Sequence, residues 1–540
     1  MTFSAHLGTL NSNRGSVILG AGNYLSFQRE LAGLKALGVK GVVANIDYPI
    51  LDSGFDAYGG QAADYLALYR SAAVDIRAAG LKLIVETGGI FSDPVFSPLN
   101  VTPFYDSLSL TQYMNGRATQ AALIATQLQP DYLNVLQEPD TEALQSGKAE
   151  VYTLTGSVNL LNSILTQVKA TGTNIPIGAG VGAWLPTDPT GKGVNDYVNA
   201  YAAIPSLDSI DIHIYPVNRD FLQRMNTIAS IAKSKSKKLT ISEAWAYKQR
   251  DSELNKPAFP ASVLYARDVF SFWSPLDVQF LEAVVNWCYY QHVEYMAAFW
   301  SQYFRAYLTY DSSTQSQSPS VLNALAQTAA GIAISLPAVT PTATAWNVDI
   351  MNPVDTTAPT APAVTATEYP NQIVLNWTST DDTGVYEYTV MRDGVATVTT
   401  IEGSFSELGL LDGKCYVYTV TSLDFAGHAT PTATPPFCTP DITPPTAPTT
   451  TTATAGPVAP GPPSTSSMRV AWFGATDNTG PTGIDAYAIY RSVGSSTGPF
   501  VYLAQVPASQ LNYTDAGIQQ SDTLYCYKIK TLDLVGLPSP

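Results

Sequence analysis

The sequence predicts a (β/α)8 barrel followed by two small all-β sandwiches. Three observations carry this. Eight short apolar runs alternate with amphipathic stretches over residues 1–335, the composition turns Pro/Thr-rich from Leu336, and a Trp- and Tyr-bearing block that begins at Asp355 is repeated from Asp441. At 540 residues the chain is also too long for one hydrophobic core.

The strand runs are SVILGAG (16–22), GVVANIDY (41–48), LKLIVETG (81–88), YLNVLQEP (132–139), IPIGAGVG (175–182), SIDIHIYP (209–216), KLTISEAW (238–245) and YMAAFWSQ (295–302). Most are continuously apolar, as strands buried on both faces require. Between them lie segments such as AADYLALYRSAAVDIRAAG, where Tyr65, Leu68, Tyr69, Ala72, Ile76 and Ala79 recur at helical spacing. Eight such units in this length fit a closed TIM-type barrel. An open doubly wound sheet is less favoured, because no Gly-rich phosphate fingerprint follows the first run.

LPAVTPTATAWNVDIMNPVDTTAPTAP reads as a linker, placed at 336–356. The repeats then occupy 357–440 and 441–540. Each has one Trp strand (Trp377, Trp472) and one Tyr-rich strand, CYVYTVTSLDFAG or LYCYKIKTLDLVG. Short alternating strands around a single Trp indicate sandwiches, and both repeats resemble fibronectin type III domains. The second copy ends soon after its Tyr-rich strand, so its last strand is expected to be missing.

Composition narrows the function. The charge is −16, from 28 basic and 44 acidic residues, and no basic run forms a patch, so a nucleic-acid partner is excluded. No apolar run reaches about 18 residues, so no membrane span is expected. The opening MTFSAHLGTLNSNRG has neither a basic nor an apolar leader segment. Low charge with 31 Tyr and 8 Trp suits a secreted enzyme acting on neutral polymers, and a monomer is expected.

A barrel enzyme builds its site at the C-terminal ends of its strands. The fourth run ends in Gln137-Glu138-Pro139 and the seventh in Ser242-Glu243-Ala244-Trp245. Strands four and seven face one another across a barrel, so both glutamates can reach one sugar. Retaining glycoside hydrolysis needs two carboxyl groups about 5 Å apart. The pattern resembles the clan of retaining glycoside hydrolases with glutamates on strands four and seven. That resemblance implies Glu138 as acid/base, Glu243 as nucleophile and no cofactor or metal. The clan carries Asn before the acid/base; Gln137 keeps the amide but sets it one methylene farther out. The resemblance also implies His213 and Tyr215 at the end of strand six as orienting groups, and Trp300 at the end of strand eight as a sugar platform. Trp245, Asp47 and Glu86 complete the predicted substrate contacts. Tyr105, Trp184, Tyr215, Tyr247 and Tyr303 suggest several sugar subsites. The chemistry calls for a raised pKa at Glu138 and an ionised Glu243. Asp140, Glu142, Asp251 and Glu253 read as surface charges, with Asp251 and Glu253 also placed to rim a cleft.

A carbohydrate-binding or adhesion protein on a degenerate barrel is the alternative, supported by Gln137 alone. A lyase or aldolase would need a strand-end Lys or a metal cluster, and neither is found. Cys415 and Cys438 fall on neighbouring strands of the first repeat and are predicted to be bonded; Cys288 and Cys526 are predicted to be free.

Overall fold

The computed structural model describes residues 1–90, 99–254, 261–334, 340–351, 355–456, 465–519 and 524–540. Eight parallel strands close into a barrel in chain order. They are β1 Thr2–His6, β2 Gly41–Asn45, β3 Lys82–Glu86, β4 Tyr132–Asn134, β5 Ile177–Gly182, β6 Ser209–Ile214, β7 Lys238–Ala244 and β8 Tyr295–Ala298. Their side chains are almost wholly buried, in keeping with the continuous apolar runs.

The first strand is a correction. Residues 16–22 do not form it; 3-10 turns run from Ser12 to Leu19, broken at Gly15, whose φ of 57° and ψ of −141° suit only glycine. Thr2–His6 closes the barrel instead, with Ser4 opposite Gly41 on one side and Phe3 opposite Met296 on the other. Its five residues are all buried. Alternation of polar and apolar residues hid it, although Thr2, Ser4 and His6 are all buried.

The predicted linker is a second difference. Pro341–Met351 is a helix, and Trp346 on it is fully buried. Its ring meets Phe3 edge-on at 5.6 Å and stacks on Phe304 at 5.8 Å. Burial of one large aromatic outweighs the weak helix propensity of the Thr-rich sequence around it.

Two all-β sandwiches follow. In the first, one sheet is built on Gln372–Thr378 and the other on Val385–Arg392 and Tyr418–Asp424; in the second, Thr465–Phe473 and Ile484–Val493 hold the central places. Trp377 and Trp472 are core residues, set edge-on to Tyr388 and Tyr487. Cys415 and Cys438 face each other across antiparallel strands and are disulfide-bonded, while Cys288 and Cys526 are free. The described residues fall into two compact units, Met1–Pro359 with Asp381–Tyr386 and Leu423–Ala429, and Thr360–Thr380 with Glu387–Ser422 and Thr430–Pro540. Among the described residues no helix is long and apolar enough to cross a membrane.

Candidate active site

The C-terminal ends of the barrel strands open into a cavity of about 1580 Å³, lined by Gln137, Glu138, His213, Tyr215, Glu243 and Trp300 among others. Local sequence sets each of them. Pro139 occupies the first turn of the helix Pro139–Ser146 and holds Glu138 outside it, at φ −135° and ψ 79°, on the hinge between strand and helix. On β7 the residues Thr240 to Glu243 span the same register as Asp211 to His213 on β6, so β7 carries one extra residue. This bulge defeats the usual alternation and lets both Ser242 and Glu243 face the interior.

The two glutamates converge. Glu138, His213 and Glu243 each present an atom within 4.8 Å of the others. His213 is the hub: its Nδ1 lies 2.7 Å from Glu138 Oε1 and 3.4 Å from Glu243 Oε2. Its Nε2 lies 3.1 Å from Ser242 Oγ and 3.3 Å from Glu86 Oε1. Tyr215 donates to Glu243 Oε2 at 2.6 Å and stacks on Tyr247 at 4.2 Å.

Burial works against a charge on His213, but the fields of Glu243, Glu138 and Glu86 outweigh it and push its pKa well up. Burial also opposes ionisation of Glu86, yet the imidazole of His213 and the charge of His6 hold its carboxyl below the ordinary range. Glu243 goes the other way. Burial, with the Glu86 and Glu138 charges adding to it, raises its pKa against the pull of His213 and Tyr215. This departs from the expectation of an ionised Glu243. Its side chain is 11% exposed against 21% for Glu138, so desolvation falls harder on the strand-seven residue.

Other predicted residues divide. Gln137 is buried and its Nε2 has no hydrogen-bond partner, leaving a donor at the cavity wall. Trp300 lines the cavity beside Phe299 and Tyr265, and Trp184 and Tyr247 line it too. Trp245 is corrected: it is fully buried, packed on Tyr303 and Phe304, and belongs to the core. Tyr105 and Tyr303 are likewise core residues. Asp47 reaches the cavity, but both its oxygens are occupied, by Ser12 Oγ at 2.9 Å and Gly88 N at 2.7 Å. Glu86 lies under His213 and accepts from Asn45 at 2.7 Å, so it supports the hub.

Three supposed surface charges are also corrected: Glu253 is buried and accepts from Arg267 Nη1 at 2.6 Å. Glu142 is buried, bonded to Arg117 Nε and to Tyr113, each at 2.7 Å. Asp140 lines the cavity, where burial first and the Glu138 charge second raise its pKa to about 7.

His6 and Asn45 were missed. His6 ends β1, with Nε2 2.6 Å from Ser242 O and Nδ1 3.0 Å from Asn45 Oδ1, so it ties β1, β2 and β7 together beneath the glutamates. Reading TFSAH as the first strand would have placed His6 at a strand end, as His213 is.

No family model matches the chain. It is 35% identical to Exoglucanase B of Cellulomonas fimi over 190 residues, 34% of this chain and 16% of that protein. It is 32% identical to Chitinase A1 of Niallia circulans over 200 residues, 34% of this chain and 25% of that protein. The chain thus spans a quarter or less of the length of these curated relatives. Neither stretch is long enough to contain the barrel, whose strands run from Thr2 to Ala298. Among solved structures it is similar to chitinase ChiA74 from Bacillus thuringiensis, with TM-score 0.32 and 13% identity over 100% of this chain and 98% of that one. It is also similar to exo-β-1,4-mannosidase Op5Man5 from Opitutaceae bacterium strain TAV5, with TM-score 0.42 and 12% identity over 67% of this chain and 61% of that one.

Proposed function

We propose that the barrel is a retaining glycoside hydrolase acting on O-glycosidic bonds of a polysaccharide or oligosaccharide, with Glu138 as acid/base and Glu243 as nucleophile. The observation that carries this reading is the approach of the two glutamates from β4 and β7 to within 4.8 Å at the wall of a large cavity. That spacing suits double displacement and leaves no room for the water that inversion would place between them. The curated relatives, one named an exoglucanase and one a chitinase, agree with a carbohydrate polymer as substrate. Aromatic faces at Trp184, Tyr247 and Trp300 would stack on the apolar C–H faces of sugars.

Burial favours the protonated form of Glu243. His213 Nδ1, facing both glutamates, would pass its own proton to Glu138 and take the one from Glu243. Glu243 is then free to attack the anomeric carbon while Glu138 protonates the leaving oxygen. Glu138 next draws a proton from water, which releases the sugar from Glu243. Tyr215 would hold the attacking carboxylate in place.

Glu138→Gln and Glu243→Gln are each expected to lower kcat by several orders of magnitude on a polysaccharide that the wild type cleaves, with circular dichroism unchanged. Near wild-type turnover in either variant overturns the assignment. Proton NMR of the first product is expected to show the starting anomeric configuration; an inverted anomer excludes the two-step route.

The sandwiches are proposed to be fibronectin type III spacers within a secreted protein, beginning near 357 and 441. The reading rests on the repeated Trp and Tyr strands and on the disulfide, which persists in oxidising compartments.

A further inference from the structure

Both sandwiches carry three aspartates at equivalent places: Asp355, Asp381 and Asp424 in the first, Asp441, Asp477 and Asp533 in the second. The flanking segments match as well, DTTAP with DITPP, TDDTG with TDNTG, and SLDFAG with TLDLVG. In the first sandwich they converge. Asp355, Asp424 and His428 present atoms within 4.8 Å of one another, and so do Asp355, Asp381 and Asp382. His428 supplies the counter-charge there. Its backbone N–H donates to Asp424 Oδ1 at 2.8 Å and its Nδ1 lies 2.8 Å from Oδ2. The bond to Asp424, with the charges of Asp355 and Asp381 beyond it, raises the imidazole pKa.

In the second sandwich the residue four after the aspartate is Leu537, so this cation is missing. Asp533 is 1% exposed. Its Oδ1 accepts from Val535 N at 3.0 Å and Leu537 N at 2.7 Å, while its Oδ2 is buried with no hydrogen-bond partner. Asp477 repeats the pattern, with Oδ1 accepting from Thr479 N at 2.8 Å and Oδ2 buried and unpartnered. The backbone brings the segments that carry these two residues together at Gly483. Ile484 stands opposite Asp533, Leu534 N donates to Gly483 O at 3.0 Å, and a Cβ on Gly483 would lie 2.3 Å from Asp477 Oδ1. Asp441 stands beside the same loop, its Oδ1 accepting from Asn478 Nδ2 at 3.2 Å. A buried carboxylate oxygen without a donor gains most from a cation that a second such oxygen can share.

We propose that the second sandwich binds one hard divalent cation, of the Ca²⁺ class, between Asp477 Oδ2 and Asp533 Oδ2 with Asp441 alongside. It stands where the first sandwich keeps the His428 imidazolium. An all-oxygen donor set on turns and strand ends suits Ca²⁺, which accepts irregular carboxylate geometry, over Zn²⁺, which prefers nitrogen and sulfur. The ion would pin the first residue of the domain, its first long loop and its final described strand to one another.

Equilibrium dialysis of the full chain against Ca²⁺ tests this, with thermal unfolding in Ca²⁺ and in EDTA as the second readout. The wild type is expected to take up one equivalent that both Asp533→Asn and Asp477→Asn lose, with Kd about 0.1–1 mM, as in extracellular modules. Asn at 533 keeps the oxygen that Val535 and Leu537 need, so the fold is preserved, as circular dichroism would verify. His428→Leu, which gives the first sandwich the second one's residue, is expected to add a second equivalent. Absence of Ca²⁺ uptake by the wild type, or uptake that survives both aspartate substitutions, overturns the proposal. Failure of His428→Leu to add a site overturns the exchange of imidazolium for ion. None of these residues lies in the barrel cavity, so glycosidase assays of the same variants separate this result from the fate of the active-site reading.

Discussion

At Asp47, burial pushes the carboxyl pKa to about 6 although Gly88 N–H and Ser12 Oγ both donate to it. The unfolded value is about 3.9. A raised carboxyl favours folding below its unfolded pKa, and that contribution is lost as pH rises through the folded pKa. Between about pH 4 and 6 the wild type should therefore lose about 3 kcal/mol of stability from this group alone. Asp47→Asn is expected to flatten that part of the curve, and urea denaturation across the range would check it. An unchanged slope would mean that Asp47 stays ionised when folded. At this scale the two proposed catalytic glutamates were legible, because strand order and the QEP and SEA endings place them without any knowledge of packing. The protonation pattern was not legible. It depends on how much water each carboxyl keeps, and Glu243 keeps less than Glu138.

Four elements meet at Arg117, on the helix Leu110–Gln127. Its guanidinium bonds Glu142 on the helix after β4, Thr87 O beyond β3 at 2.7 Å and Val135 O beyond β4 at 2.8 Å, and it is fully buried. Glu142 N donates to Glu138 O at 2.8 Å, so this ion pair also anchors the turn that aims the proposed acid/base. Glu142→Ala leaves a buried guanidinium unpaired and should cost about 3–5 kcal/mol in urea denaturation. A loss under about 1 kcal/mol would show that water replaces the carboxylate. In sequence Glu142 looks like any loop acid, because its partner lies on another helix. The same holds for the helix Pro341–Met351: Thr and Pro dominate its composition, but one Trp docks it on Phe3 and Phe304.

Across the whole molecule, the thiols report on the fold and its compartment together. Labelling of denatured, unreduced protein is expected to modify two cysteines, Cys288 and Cys526, and after reduction all four. Reduction should cost the first sandwich about 3 kcal/mol, the entropy of a loop of this length. Four reactive thiols before reduction, in protein made under oxidising conditions, would exclude the bridge.

Periodicity, composition and repetition were properties of the chain itself. They determined the barrel, the two sandwiches, seven of the eight barrel strands, the disulfide partners and the two facing glutamates, since each follows from local pattern or strand order. Tertiary structure decided the rest. It chose Thr2–His6 as the strand that closes the barrel, because closure is a relation between the first strand and the last. It turned Trp245 into core and Asp140 into cavity wall, because burial depends on what packs from elsewhere in the chain. It inserted the β7 bulge that aims Glu243, and it set the His213 imidazole among carboxyl groups drawn from β3, β4 and β7, whose mutual fields no linear reading contains.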